Sequence, residues 1–127
     1  LPLASGLLGG RLHERISFSK DDHRLFNNNG QIFNVGETFS GIPFNKGLEL
    51  VEEIKGFFPD NVNLSQMALR WILDYDEVTV VIPGSKSPTQ ISENTSSSRL
   101  PKLSKLLHDQ LNQFYNKRVV QYIRGHF

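Results

Sequence analysis

The sequence predicts an α/β fold of the kind that repeats in (β/α)8 barrels. Residues 78–82, Val-Thr-Val-Val-Ile, form a short β-branched run, which is typical of a parallel strand covered on both faces. Pro83 cannot donate to a strand ladder and Gly84 lets the backbone turn, so the strand ends there. Apolar residues at helical spacing lie before and after it. Helix, strand, turn and helix therefore follow one another, as in such barrels.

The composition excludes several classes of protein. With 127 residues, 38% of them hydrophobic, the chain can bury one modest core. Fourteen Lys and Arg nearly cancel thirteen Asp and Glu, so no broad field attracts nucleic acid or an anionic membrane. There is no cysteine, which excludes thiolate zinc and favours an intracellular, cytoplasmic location. No apolar stretch approaches the ~20 residues of a membrane helix. We expect a soluble protein without metal, nucleic-acid or membrane partners.

The glycine loop, residues 1–11, opens the chain. Small residues and three glycines, Gly6, Gly9 and Gly10, allow a backbone to approach a ligand closely. Their spacing matches neither a dinucleotide fingerprint nor a Walker loop. Spacing alone therefore indicates a flexible loop.

Residues 12–44 show few periodic apolar positions, and we interpret them as a long ordered loop packed through its phenylalanines. Within it, Asp21, Asp22, His23 and Arg24 form a charged run. A metal or acid/base site is one interpretation of this run. A solvated turn is the other, and we favour it.

Three further helices are predicted from capping signals. Asn45 begins one that runs to about Phe58. Asn63 and Gln66 have capping-box spacing for a second, buried helix through about Leu73, with Met67 and Trp71 in the core. Ser104 begins the last one, whose apolar stripe requires a partner surface.

The helix after the predicted strand begins with a cap, Ser87, and Pro88 at its first position. Its free N–H groups attract anions, and Lys86 stands beside them, so a phosphate is the expected ligand. Gln90, Glu93 and Asn94 share one face that suits the polar groups of adenosine. The alternative is a surface helix with its polar side chains in water.

Residues 82–94, Ile-Pro-Gly-Ser-Lys-Ser-Pro-Thr-Gln-Ile-Ser-Glu-Asn, closely resemble the last strand, turn and helix of the aldo/keto reductase family. The resemblance implies that this turn and helix bind the adenosine 2′-phosphate end of NADP(H). Lys86 then contacts the phosphate beside Gly84 and Ser85, and Gln90, Glu93 and Asn94 contact the adenosine. Gly84 and Gln90 resemble the branch that includes potassium-channel β subunits and many bacterial oxidoreductases.

The glycine loop resembles the family's segment after the seventh barrel strand, which lies across the cofactor pyrophosphate. The resemblance implies backbone contacts from five consecutive residues, Pro2, Leu3, Ala4, Ser5 and Gly6. It also implies Arg11 at the position of a usual Lys. A similar Asp-His-Arg element in part of the family makes Arg24 a candidate clamp on the cofactor.

The resemblance covers essentially the whole chain. It implies that residues 1–127 are the C-terminal portion of a single NADP(H)-binding (β/α)8 TIM barrel domain, from the end of strand 7 to the C-terminal helix, with the N-terminal part absent. The family's catalytic Asp, Tyr, Lys and His come from earlier strands, so no catalytic residue is assigned. The implied function is the reduction of aldehydes or ketones to alcohols by the intact barrel, with a carbonyl substrate and the missing N-terminal part as partners.

Two alternatives remain. The first is a cofactor-sensing regulatory subunit of the same fold. The second is a small helical interaction module, which the stripe of the last helix favours.

Overall fold

The structure, a computed structural model, describes residues 2–60 and 62–125. This part of the chain contains five α-helices and several shorter turns, joined by loops. The α-helices are α1 (His23–Phe26), α2 (Phe44–Lys55), α3 (Leu64–Leu73), α4 (Pro88–Ser96) and α5 (Lys105–Phe114). The 3-10 turns are Ala4–Gly9, Val35–Glu37, Phe39–Gly41, Ser97–Arg99 and Val120–Tyr122, and a π turn spans Tyr115–Val119. Leu1, the first residue of the glycine loop, lies outside the described residues.

Three of the predicted helix starts are confirmed. Asn63, Ser87 and Ser104 each accept a hydrogen bond from the backbone N–H three residues later, as N-cap residues do. Asn45 was the wrong cap, because α2 begins at Phe44 after Pro43 without a side-chain cap, and it ends at Lys55 rather than Phe58. Pro43 itself occupies the N-cap position, and its side chain has no acceptor for a capping hydrogen bond.

The predicted strand is absent from the described residues. Residues 78–85 belong to neither helix nor strand, and the side chains of Val80 and Ile82 are 66% and 83% exposed. The expectation of a strand buried on both faces was wrong for this chain by itself. A strand needs hydrogen-bond partners from neighbouring strands, and the described residues offer none.

Two apolar clusters hold the helices together. In the first, Leu7, Phe39, Val51 and Leu64 are buried against one another. The second joins Ile42 and Leu50 to Phe114 of α5. Gly47 of α2 makes the first cluster possible, because a Cβ at that position would lie 2.7 Å from a methyl carbon of Leu7.

A buried ionic network joins α3 to α5. Asp74 accepts hydrogen bonds from Arg70 Nε at 2.9 Å, from His108 Nε2 at 2.8 Å and from the Leu103 N–H at 2.9 Å. The side chains of Asp74 and Arg70 are only 5% and 8% exposed. Burial alone would raise the pKa of Asp74, but the hydrogen bonds from His108 and Leu103 and the charge of Arg70 lower it overall.

Helix α3 is less buried than its sequence suggests. Met67 and Trp71, expected in the core, are half-buried and line an open apolar groove of about 870 Å³. The other lining residues include Val78, Val80, Val81 and Ile82. Trp71 packs edge-on against Tyr75 and stacks on His108, with ring centroids 5.0 and 6.2 Å apart. Its Nε1 is buried and has no hydrogen-bond partner among the described residues. One face of this helix is thus left uncovered.

Residues 12–44 form the ordered loop that the sequence predicts, interrupted only by α1 and short turns. Phe18, Phe39 and Phe44 pack against each other with centroids 5.0 to 6.1 Å apart. Asn27 and Thr38, both fully buried, are joined by a side-chain hydrogen bond. The loop is therefore held both by contacts among its own residues and by the packing of Phe39 in the first core cluster.

No helix among residues 2–60 and 62–125 is both long enough and apolar enough to span a bilayer.

Candidate functional site

An open cleft of about 1270 Å³ runs between the glycine loop, α1, the start of α3 and the turn that leads into α4. All but one of the residues that the sequence assigned to a cofactor line this cleft. These lining residues are Pro2, Leu3, Ser5, Gly6, Arg11, Arg24, Gly84, Ser85, Lys86, Gln90, Glu93 and Asn94. The exception is Ala4, which lines the apolar groove and packs against the first core cluster. The structure therefore brings together two stretches that are more than seventy residues apart in sequence.

The wall formed by the glycine loop has an unusual backbone. Ala4, Ser5 and Gly6 have φ values of 47°, 55° and 98°, and left-handed conformations are costly for the two non-glycine residues. The Ser5 hydroxyl offsets part of this cost. It accepts a hydrogen bond from the Phe39 N–H at 3.1 Å and donates one to the Glu37 carbonyl at 3.4 Å. The Ser5 side chain is thus occupied within the protein, as is the Gly6 N–H, which donates to the Leu3 carbonyl at 2.9 Å.

Arg24 lies beside this wall and is held in place. Asp22 binds its Nε at 2.9 Å and its Nη2 at 2.6 Å, and the guanidinium carbon lies 4.4 Å from the centroid of the Phe18 ring. The hydrogen bond from Arg24 lowers the pKa of Asp22 to about 2, and the same contact raises the pKa of Arg24. Nη1 remains without a partner among the described residues and lies 3.7 Å from where a Cβ of Gly6 would be.

The opposite wall is the turn before α4. Gln90 Oε1 accepts a hydrogen bond from the Lys86 N–H at 2.6 Å, and Asn94 Nδ2 donates one to the Ser85 hydroxyl at 2.9 Å. Two of the side chains predicted to contact adenosine therefore also fix the shape of the turn. The Lys86 side chain is exposed, and its ammonium group has no partner within residues 2–60 and 62–125.

Two contacts connect the walls. Arg11 and Glu93 form an ion pair at 4.0 Å across the cleft, but both side chains are exposed, so the pair adds little stability. Gln66 of α3 donates to the Glu93 carbonyl at 3.0 Å and to the Ser96 hydroxyl at 2.6 Å. These hydrogen bonds occupy the Gln66 side chain, so it ties α4 to α3 instead of closing the capping box that the sequence suggested.

The charged run after the glycine loop is not the solvated turn that the sequence favoured. The Asp22 side chain is 18% exposed, accepts a hydrogen bond from the Arg24 N–H at the start of α1 and pairs with the Arg24 side chain. Sequence reasoning missed this role. The signal was available, since an Asp two residues before an Arg can cap the backbone and bind the guanidinium together. No group of three or more His, Cys, Asp or Glu suited to a metal occurs in the described chain.

The cleft is suited to an elongated anion. Arg11, Arg24 and Lys86 place three cations on three different elements around it, beside a glycine backbone that a ligand can approach. Four carboxylates also line the cleft: Asp22 is paired with Arg24 and Glu93 with Arg11, whereas Asp21 and Asp60 are exposed. Of the three cations, Lys86 is the one without a carboxylate partner within residues 2–60 and 62–125. Phosphate groups at separate points of one ligand would satisfy this distribution of charge.

One protein family matches the chain: the aldo/keto reductase family, over residues 1–116. No curated protein and no solved structure matches it.

Proposed function

The chain belongs to the aldo/keto reductase family, and on that premise we propose that it forms the NADP(H)-binding end of an oxidoreductase that reduces aldehydes or ketones to alcohols. The observation that carries the proposal is the cleft. Its two walls come from the two stretches that resemble the family's cofactor segments, and its cations are spread as an elongated phosphate ligand requires.

Each wall has a separate role in the proposal. Lys86, with the capped start of α4, binds the 2′-phosphate, and the α4 face with Glu93 contacts the adenosine. The glycine loop and Arg24 Nη1 bind the diphosphate. Because Gln90 and Asn94 already brace the turn around Lys86, the phosphate end is shaped before the ligand arrives, which lowers the entropic cost of binding. When bound, NADPH supplies the hydride for the reaction.

The apolar groove supports a further part of the proposal. Residues 78–82 carry a β-branched pattern and have no strand partner among the described residues. All of them except Thr79 line this groove with Met67 and Trp71. We propose that the N-terminal part of the barrel covers the groove and pairs with residues 78–82 as a neighbouring strand. The unpaired Nε1 of Trp71 then finds an acceptor, as buried donors normally do. The carbonyl substrate and the family's proton-donating tyrosine belong to that part.

Binding of the cofactor tests the proposal directly. The protein for the test is the complete barrel, meaning this chain together with the strands that precede it. Calorimetric titration should show that NADP⁺ binds more tightly than NAD⁺, and addition of an aldehyde should consume NADPH. The isolated 127-residue chain should show no turnover. Failure of the complete barrel to bind either dinucleotide would contradict the proposal, whereas binding without turnover of any carbonyl would favour a cofactor-sensing subunit.

A further inference from the structure

Asp22 is the most tightly engaged acidic side chain in the cleft, and the proposed cofactor chemistry gives it no role. A carboxylate beside an anion site normally weakens anion binding through repulsion. Within the part of the chain that the structure describes, its side-chain contacts all involve the next two residues: it accepts from the Arg24 N–H at 3.0 Å and from two nitrogens of the Arg24 guanidinium, and it lies 3.7 Å from His23 Nδ1.

These contacts fix the guanidinium from three directions. Asp22 binds Nε and Nη2 in the parallel, two-point geometry that arginine forms with carboxylates. The Phe18 ring lies against one face of the group, at 4.4 Å. Gly6 lies on the remaining side, where Nη1 is 3.7 Å from the position that a Cβ of this residue would take, an ordinary van der Waals distance. The Arg24 side chain is only 20% exposed, so it cannot sweep freely through solvent.

We propose that Asp22 is a positioning residue for cofactor binding, which holds Arg24 so that Nη1 faces the diphosphate beside Gly6. The inference rests on the proposed NADP(H) function. An unrestrained arginine must lose side-chain rotamer freedom when it binds a phosphate, whereas a restrained one has already lost it. The low pKa of Asp22 keeps the carboxylate ionised throughout the neutral range, so the restraint persists there.

Repulsion and positioning predict opposite effects of removing the charge. If Asp22 acts only as a nearby negative charge, Asp22→Asn should tighten the binding of NADP⁺. If Asp22 positions Arg24, the same variant should weaken it, because the amide keeps one acceptor but loses the second contact with the guanidinium. Asp21→Asn is the matched control, since Asp21 also lines the cleft but is exposed and has no side-chain partner among the described residues.

The experiment measures dissociation constants in the complete barrel for two ligands, NADP⁺ and adenosine 2′-monophosphate. The second ligand carries the 2′-phosphate but no diphosphate. We expect Asp22→Asn to weaken NADP⁺ binding roughly tenfold and to change binding of adenosine 2′-monophosphate by less than about twofold. Asp21→Asn should leave NADP⁺ binding unchanged or slightly tighter. In an Arg24→Ala background, Asp22→Asn should produce no further loss, because the group that it positions is gone.

A second variant guards against a simple folding defect. Asp22→Ser retains an oxygen that can cap α1 but cannot bind two guanidinium nitrogens, so it should fold normally and still weaken NADP⁺ binding. Equal or tighter NADP⁺ binding by Asp22→Asn would overturn the inference and leave the proposed function intact, as would an equal loss for both ligands. If the wild type bound neither ligand, the proposed function itself would fail, and the inference with it.

Discussion

Asp74 and the run at residues 78–82 are four residues apart in the chain, yet they lie in opposite environments. Asp74 is 5% exposed and fully engaged between α3 and α5, whereas Ile82 is 83% exposed and makes no strand contact. The first region obtains every partner it needs from within this chain. Residues 78–82 are as apolar as a buried strand, but no other part of the described chain covers them fully. The chain therefore combines a helical region with internal partners and an apolar run, residues 78–82, that the described residues leave largely exposed.

The largest effect on stability should follow from breaking the ionic network around Asp74. Asp74→Ala leaves the buried Arg70 without its carboxylate, which typically costs about 3–5 kcal/mol. We expect the urea unfolding midpoint of the 127-residue chain to fall accordingly. Asp76→Ala is the matched control, because Asp76 is 97% exposed and only 3.6 Å from an exposed Lys102, and it should change stability little. Equal effects of the two variants would mean that the network does not hold α5.

The same network gives the α3–α5 junction a defined response to acid. The pKa of Asp74 is lowered in the folded chain, so its contribution to stability is complete above the unfolded-state pKa of about 3.9. That contribution is lost as the pH falls through the lower folded-state pKa. Thermal unfolding should therefore show a loss of stability below about pH 4 that is smaller in Asp74→Ala. A loss of the same size in both proteins would assign acid sensitivity to other groups.

A second substitution tests whether residues 78–82 are covered in the complete barrel. Ile82→Asp should change the stability of the isolated chain by less than about 0.5 kcal/mol, because the side chain is already in water. In the complete barrel the same change should cost about 3 kcal/mol or more, because it buries a charge without a partner. Ile32→Asp, at a residue that is 72% exposed and outside the groove, should be neutral in both. A neutral Ile82→Asp in the complete barrel would mean that residues 78–82 are not covered there.

Lys86 lies four residues after this run, and its substitution tests the cofactor cleft in the complete barrel. Lys86→Met should weaken NADPH binding by the complete barrel roughly 10- to 100-fold, leave NADH nearly unaffected and reduce the salt dependence of NADPH affinity. Lys102→Met, which removes an exposed charge outside the residues lining the cleft, is the control. Equal loss of both dinucleotides would remove Lys86 from the phosphate site.

The smallest expected effect concerns a helix start. Ser104→Ala removes the hydrogen bond to the Leu107 N–H and should lower the stability of the chain by about 1 kcal/mol. Ser104→Asp retains a capping oxygen and should be nearly neutral. If Ala and Asp give the same unfolding midpoint, α5 is held by its packing and the ionic network alone.

Helix starts could be predicted because their partners are local. Asn63, Ser87 and Ser104 bond to N–H groups three residues away, so the sequence contains both partners. The strand at residues 78–82 could not be confirmed in this chain because its partners would come from other strands. The cleft could be anticipated only through a family resemblance, since no spacing rule joins residues 2–11 to residues 84–94. The roles of Asp22 and Gln66 required the three-dimensional contacts.

The stacking of Trp71 on His108 gives the molecule its own optical probe. The chain contains one tryptophan, so all of its indole emission comes from a single position. That indole is stacked on His108 of α5 and also lines the open groove. Loss of α5 packing would expose the indole to water and shift its emission to longer wavelength, whereas covering the groove would exclude water and shift the emission to shorter wavelength. The direction of the shift thus distinguishes the two changes in an unlabelled sample.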